Sequence, residues 1–119
     1  MSKLMVSKAL TSAAVTSVTS DNTPKYIENF SDLGVLVKVT GATNGDIIQV
    51  NLIGGLDADL MENTPMIGCP LKITIATGKT SQLWTLNVRG IPFIQVKDIQ
   101  TSNTGGGCTV DVFQGGERR

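Results

Sequence analysis

The sequence predicts an all-β protein: an antiparallel β-sandwich of about seven to nine short strands, jelly-roll-like or Ig-like, with a less regular N-terminal segment. Three observations predict it. From Leu33 onward, β-branched runs recur about every dozen residues, each bounded by Gly, Asn, Pro or Asp. Helical periodicity is nowhere sustained. With 40% hydrophobic and only 17% charged residues, the polar positions between the apolar ones are filled mainly by Thr, Ser, Asn and Gln, as in two-layer β proteins. The 119 residues match one domain, taken as residues 1–119, with enough buried surface to hold an apolar core without disulfides or metals.

The clearest run is Val35-Leu36-Val37-Lys38-Val39, whose three valines share a face. Ala42-Thr43-Asn44-Gly45-Asp46 supplies an Asn-Gly turn that favours positive φ, and Ile48-Gln49-Val50-Asn51-Leu52 returns with Ile48, Val50 and Leu52 inward and both amides outward. These two segments are expected to form a hairpin. Ile53 to Asp59 breaks the pattern, and the segment to Pro70 carries two prolines, which predicts a long loop with a short edge strand. Leu71-Lys72-Ile73-Thr74-Ile75, a turn at Thr77-Gly78-Lys79 and Leu83 to Arg89 predict a second hairpin. In it Trp84, Leu86 and Val88 face together, and the sole tryptophan is expected to anchor the core. Phe93 to Lys97 follows Pro92 as a strand, with Ile94 and Val96 inward. After the turn at Gly105-Gly106-Gly107, Cys108, Val110 and Val112 complete an inner face, and Gly115 to Arg119 reads as a polar tail.

The N-terminal third is weakly patterned. Leu10 to Thr19 is small and Ser/Thr-rich, and Thr23-Pro24-Lys25-Tyr26-Ile27 resumes a strand signal after Ser20-Asp21-Asn22. Residues 1–20 are read either as an edge strand or as an extended arm that orders on a neighbouring subunit.

Charge and composition narrow the function classes. Ten basic residues offset ten acidic ones, so no overall field recruits nucleic acid or an anionic membrane, and Arg118-Arg119 with Lys3 and Lys8 are too sparse for a nucleic-acid patch. Met1 to Lys8 alternates too early for an export signal, and no apolar run is long enough to span a bilayer as a helix. The chain has no histidine, which removes the usual general base of a nucleophilic triad and leaves Cys69 and Cys108 without metal-site neighbours. The two cysteines are expected as buried free thiols, or as a pair if their strands face each other.

Gly78-Lys79-Thr80 resembles the end of a phosphate loop, but Ile73 stands where the first glycine belongs and a strand follows where a helix is required. Asp57 and Asp59, with Asn51 and Glu62, match no complete calcium pattern and read as a solvated acidic loop. Sugar hydrolysis lacks an aromatic-lined cleft, and the Asn29-Phe30-Ser31 glycosylation pattern lacks a route to modification. No catalytic, cofactor-binding or metal-binding residues are assigned, no cofactor is expected, and the chain is not expected to be an enzyme.

The succession Val37-Lys38-Val39-Thr40-Gly41, Gly45 to Leu52, Gly90 to Lys97 and Gly106 to Val112 resembles the small β-sandwich virion proteins of tailed bacteriophages, over roughly residues 30 to 114. Many such domains carry Leu-Asp-Gly followed by Asn-Trp after the first hairpin. Gly55-Leu56-Asp57-Ala58-Asp59 keeps the Leu-Asp and lacks the Trp, which weakens the transfer of a ligand role to this loop. The resemblance implies a structural virion protein made in the host cytoplasm, most simply a capsid decoration or auxiliary head protein. Its partner would be the major capsid protein or another virion protein. Attachment as a homo-oligomer, a trimer or part of a ring, suits the symmetric sites that particles present. The alternatives are a tail, fibre or baseplate module, or a carbohydrate-binding module using the loops around Leu56 to Glu62 and Gly105 to Gly107.

Overall fold

Alternation of branched apolar and polar residues gives each strand one face to bury, and two sheets facing each other bury it. The computed structural model describes residues 3–15, 18–19, 24–27, 30–64, 66, 68–102 and 108–118, with backbone alone for 3–15, 18–19, 30–31 and 116–118. Nine strands lie among the described residues: β1 (Lys3–Val15), β2 (Val18–Thr19), β3 (Lys25–Tyr26), β4 (Phe30–Thr40), β5 (Ile47–Gly55), β6 (Leu71–Thr74), β7 (Ser81–Asn87), β8 (Phe93–Thr101) and β9 (Cys108–Arg118). They form two antiparallel sheets. The first has the order β1-β9-β4-β7, and the second β2-β8-β5-β6, with β3 also paired to β8.

The pairing is nested. β1 lies on β9, β2 and β3 on β8, β4 on β7, and β5 on β6. The chain is thus a single antiparallel ribbon with β5 and β6 at its tip, rolled so that β4 also meets β9 and β5 also meets β8. Of the two predicted wirings this is the jelly roll.

Both predicted hairpins are corrected by this arrangement. Val35 to Val39 lies in β4 of the first sheet and Ile48 to Leu52 in β5 of the second, while Leu71 to Ile75 and Leu83 to Val88 are likewise divided between β6 and β7. The expected turns do exist. The Asp46 N–H donates to the Thr43 carbonyl at 3.0 Å, and the Thr43 N–H donates to Asp46 Oδ2 at 2.8 Å. Gly45 sits at φ +94°, where a side chain would be strained. However, these turns cap arches between the sheets, and the two arches bond to each other. Gly45 N–H donates to the Ile75 carbonyl at 2.7 Å, Ile75 N–H donates to the Asp46 carbonyl at 2.8 Å, and Asn44 Nδ2 donates to Thr77 Oγ1 at 2.9 Å. A two-residue period fixes which side chains face inward. It is satisfied equally by a strand beside its neighbour and by one facing it across the core.

The core fills the space between the sheets. Val35, Val37 and Val39 of β4 and Val110 and Val112 of β9 are buried on one side, and Ile48, Val50, Leu52, Ile94, Val96 and Ile99 on the other. Trp84 does not anchor this core. It sits on edge strand β7, half-buried, with its side chain packed against the rim of the cluster. The residues from Gly115 onward that read as a polar tail continue β9 as far as Arg118, paired with both β1 and β4. Residues 3–15 form the outer strand of the first sheet, with register shifts between Met5 and Lys8 and between Ala9 and Thr11. The expected turn at Gly105-Gly106-Gly107, together with Asn29 and Arg119, lies outside the described residues.

Gln114 extends the inward face of β9 past Val112 and pairs in register with Val35. It is buried, and its Oε1 finds no hydrogen-bond partner among the described residues. An unsatisfied buried acceptor costs about 1–3 kcal/mol. Gln114→Met, which keeps the length and removes the amide, is therefore expected to raise the urea midpoint without changing the m-value. Leu52→Ala, at a fully buried site of the facing sheet, is expected to cost about 2–5 kcal/mol by the same measurement.

Candidate functional site

The ribbon tip carries the longest described connection, residues 56–70 between β5 and β6. It folds back along the far end of β5, continuing the edge that β6 occupies beside the near end. Glu62 N–H donates to the Gly54 carbonyl at 2.9 Å and Met66 N–H to the Leu52 carbonyl at 2.8 Å. Between them the chain reverses at residues 57–60, with Leu60 N–H on the Asp57 carbonyl at 3.0 Å and Leu56 N–H on the Leu60 carbonyl at 3.2 Å.

This close return depends on Gly55, and the neighbouring Gly54 leaves room for the Ile91 side chain. A Cβ at Gly55 would stand 2.5 Å from the Leu60 carbonyl oxygen and 2.8 Å from Met61 Cα, and one at Gly54 would stand 2.9 Å from Ile91 Cγ2. The pattern break at Ile53-Gly54-Gly55 is therefore continuing strand without side chains, which lets the loop lie directly on the backbone.

Lysine 97 straps the loop down. β8 pairs with β5 through a bulge that sets Asn51 opposite Asp98 and Leu52 opposite Val96, leaving Lys97 as the extra residue. Its Nζ donates to the Asn63 carbonyl at 2.8 Å. Because β8 and the returning loop flank β5 on opposite sides, the lysine stem crosses the outer face of β5. On β5, Ile53 is buried but stands apart from the inter-sheet cluster. Lysine stems cover apolar surface in this way while the head stays at the polar rim.

What remains open is an apolar groove of about 490 Å³ between the loop and the turn before β8, lined by Gly54, Gly55, Leu56, Leu60, Met66 and Ile91, with Glu62 and Thr64 as its polar part. Leu56 and Leu60 stand beside it 70% and 64% exposed. Glu62 Oε1 accepts from the Thr64 N–H at 3.3 Å and from Thr64 Oγ1 at 3.4 Å, which holds the polar rim together. Such a groove suits an apolar side chain of a partner, with the rim giving register. Nearby on the outer face, Tyr26 and Phe93 pack with ring centroids 5.4 Å apart.

The sequence candidates fall partly here. Asp57, Asp59 and Glu62 are all exposed on this loop, and Asp59 N–H approaches Asp57 Oδ1 at 3.4 Å. Asn51 is engaged elsewhere, its Nδ2 donating to Asp98 Oδ1 at 2.7 Å. Among the described residues no three His, Cys, Asp or Glu side chains converge. Ile53, Lys97, Met66 and Ile91 were not singled out by the sequence pattern, because the loop that gathers them has no period.

Cys69 and Cys108 are free thiols, the first half-buried and the second buried. Burial pushes both above the ordinary thiol range. A hydrogen bond from the Leu52 backbone offsets part of this at Cys69, while at Cys108 a bond to the Thr101 side chain offsets it and the nearby Asp46 charge adds to it. The folded chain thus holds these protons more tightly than the unfolded chain. Their contribution is complete below the ordinary thiol pKa and is lost as pH rises through the raised folded values. Urea melts between neutral and alkaline pH are expected to show stability falling on the alkaline side, and less steeply in Cys69→Ala/Cys108→Ala. Lys97→Ala is expected to cost roughly 1 kcal/mol and to speed hydrogen exchange at the Glu62 and Met66 amides, leaving the inter-sheet core protected.

No protein-family model and no curated protein sequence matches the chain. Among solved structures it is similar to the SPBc2 prophage-derived protein YomS, with a TM-score of 0.47 and 13% identity over 98% of this chain and 96% of that one. It is also similar to VP2 of the infectious bursal disease virus subviral particle, with a TM-score of 0.49 and 12% identity over 96% of this chain. The match spans 32% of the VP2 chain. Likeness at this level carries no argument about what the chain does.

Proposed function

We propose that the chain is a non-enzymatic structural component of a virion, a capsid decoration or auxiliary head protein that docks on neighbouring capsid subunits through its ribbon-tip loop. The observation that carries this reading is the jelly-roll wiring with an open apolar groove at one end of a polar sandwich. Jelly rolls recur in capsid and lectin domains, so the fold alone leaves both classes, and the site must separate them. The groove favours protein over sugar. Apart from Glu62 and Thr64 its lining is glycine, aliphatic and thioether, whereas a sugar site draws on aromatic faces and several convergent polar groups. The phage-like strand succession over residues 30 to 114 supports the same reading. In this role the protein needs no nucleic acid, membrane or cofactor, and it resides in the virion after synthesis in the host cytoplasm.

Many copies on a lattice turn weak individual contacts into firm attachment, so the protein is expected in numbers comparable to the major capsid protein when purified particles are quantified by gel densitometry. A handful of copies per particle would move it to the tail, fibre or baseplate. Leu56→Asp/Leu60→Asp changes two exposed residues. It is expected to leave the circular dichroism spectrum unaltered and to abolish co-sedimentation with particles lacking the protein. Retained binding would displace the groove as the docking site, and a positive glycan array lost in the same variant would favour a sugar-binding module instead.

A further inference from the structure

Each sheet of an open sandwich ends in strands with unpaired backbone groups, and natural proteins guard such edges with charge, proline, bulges or brevity. Three of the edges here are guarded. β1 contains Lys3 and Lys8 and two register shifts, β6 is four residues long and contains Lys72, and β2 and β3 are two residues each. β7 differs. Its seven residues, Ser81 to Asn87, include no charge and no proline, and its register with β4 is unbroken from Asp32–Asn87 to Lys38–Ser81.

The direction of its free groups follows from one bond. Val39 N–H donates to the Thr80 carbonyl at 2.8 Å, so residues 80, 82, 84 and 86 turn their backbone groups toward β4. The N–H and C=O groups of Ser81, Leu83, Thr85 and Asn87 point outward. Among the described residues no backbone or side chain pairs them.

We infer that β7 is the interface of a two-fold homodimer, in which the strand pairs antiparallel with its own copy about Trp84. Antiparallel pairing of a strand with itself is two-fold by construction. Centring it on the middle residue engages all seven positions. Ser81 meets Asn87 of the other copy, Leu83 meets Thr85, and no charges are opposed. Trp84 faces its own counterpart at a non-hydrogen-bonded position, where side chains approach most closely and aromatic pairs gain most. This completes the burial of a tryptophan left half-buried in the single chain. On the outer face, Phe113, Leu36 and Leu83 stand in one cross-strand row, and Leu83, 66% exposed, carries that row to the seam. The sheet β1-β9-β4-β7 then continues into β7-β4-β9-β1 of the second copy.

The inference is independent of the virion reading and is tested on the purified full chain. Sedimentation equilibrium is expected to give twice the 12.6 kDa chain mass, and emission from the single tryptophan is expected to shift blue over the same concentration range as assembly. L83K/T85K sets lysines against each other across the seam and is expected to sediment as a folded monomer. Mixing it with L83E/T85E is expected to restore the doubled mass. T85K alone, at an exposed position, repeats the test with the least burden on folding. A wild-type chain that stays at the monomer mass, a dimer that persists in L83K/T85K or T85K, or a dimer whose tryptophan emission does not follow assembly would each overturn the proposal.

Discussion

Every strand of this protein must bury one apolar face, and the two sheets have only each other to bury it against. The facing valines of β4 and β9 and the isoleucines, valines and Leu52 of β5 and β8 meet that need. Nested pairing distributes it, since each arch carries the chain from one sheet to the other while keeping its inner face inward. The cost of an interior polar group is visible at Gln114, where the same register that buries Val110 and Val112 buries an amide acceptor with no partner among the described residues.

The sequence specified faces better than neighbours. Val35, Val37, Val39, Ile48, Val50, Leu52, Ile94, Val96, Val110 and Val112 all lie inward as their alternation requires. The alternation holds no information on whether two consecutive strands lie side by side or across the core, so turns with genuine hairpin chemistry can serve as arches. Asn44-Gly45 and Thr77-Gly78 satisfy their local preferences and then bond to each other, a long-range contact that no local signal records. Among the described strands only β5 and β6 are consecutive and paired, and the long loop between them hides that relation in the sequence.

The candidate site was legible as a region and not as a set of residues. Broken periodicity, paired aspartates and two prolines marked residues 53 to 70 as the unusual connection. Two of the residues that make it a site come from elsewhere, Lys97 from a bulge in β8 and Ile91 from the turn before β8, while Met66 is placed by the loop's own return. Each is an ordinary strand or loop residue until the bulge between Asn51 and Leu52 and the bare backbone at Gly54 and Gly55 bring them together.

The position of that loop has a consequence for how the molecule can change. In a nested ribbon, inserting residues at an arch displaces a strand relative to partners in both directions, whereas the tip closes the innermost pair and nothing is threaded inside it. Loop closure entropy rises only slowly with length. The reversal at residues 57–60 can therefore be lengthened or rewritten while the Glu62 and Met66 bonds to β5 and every ladder of the two sheets keep their register. The end of the molecule that carries the groove is thus free to acquire new partners without renegotiating the core.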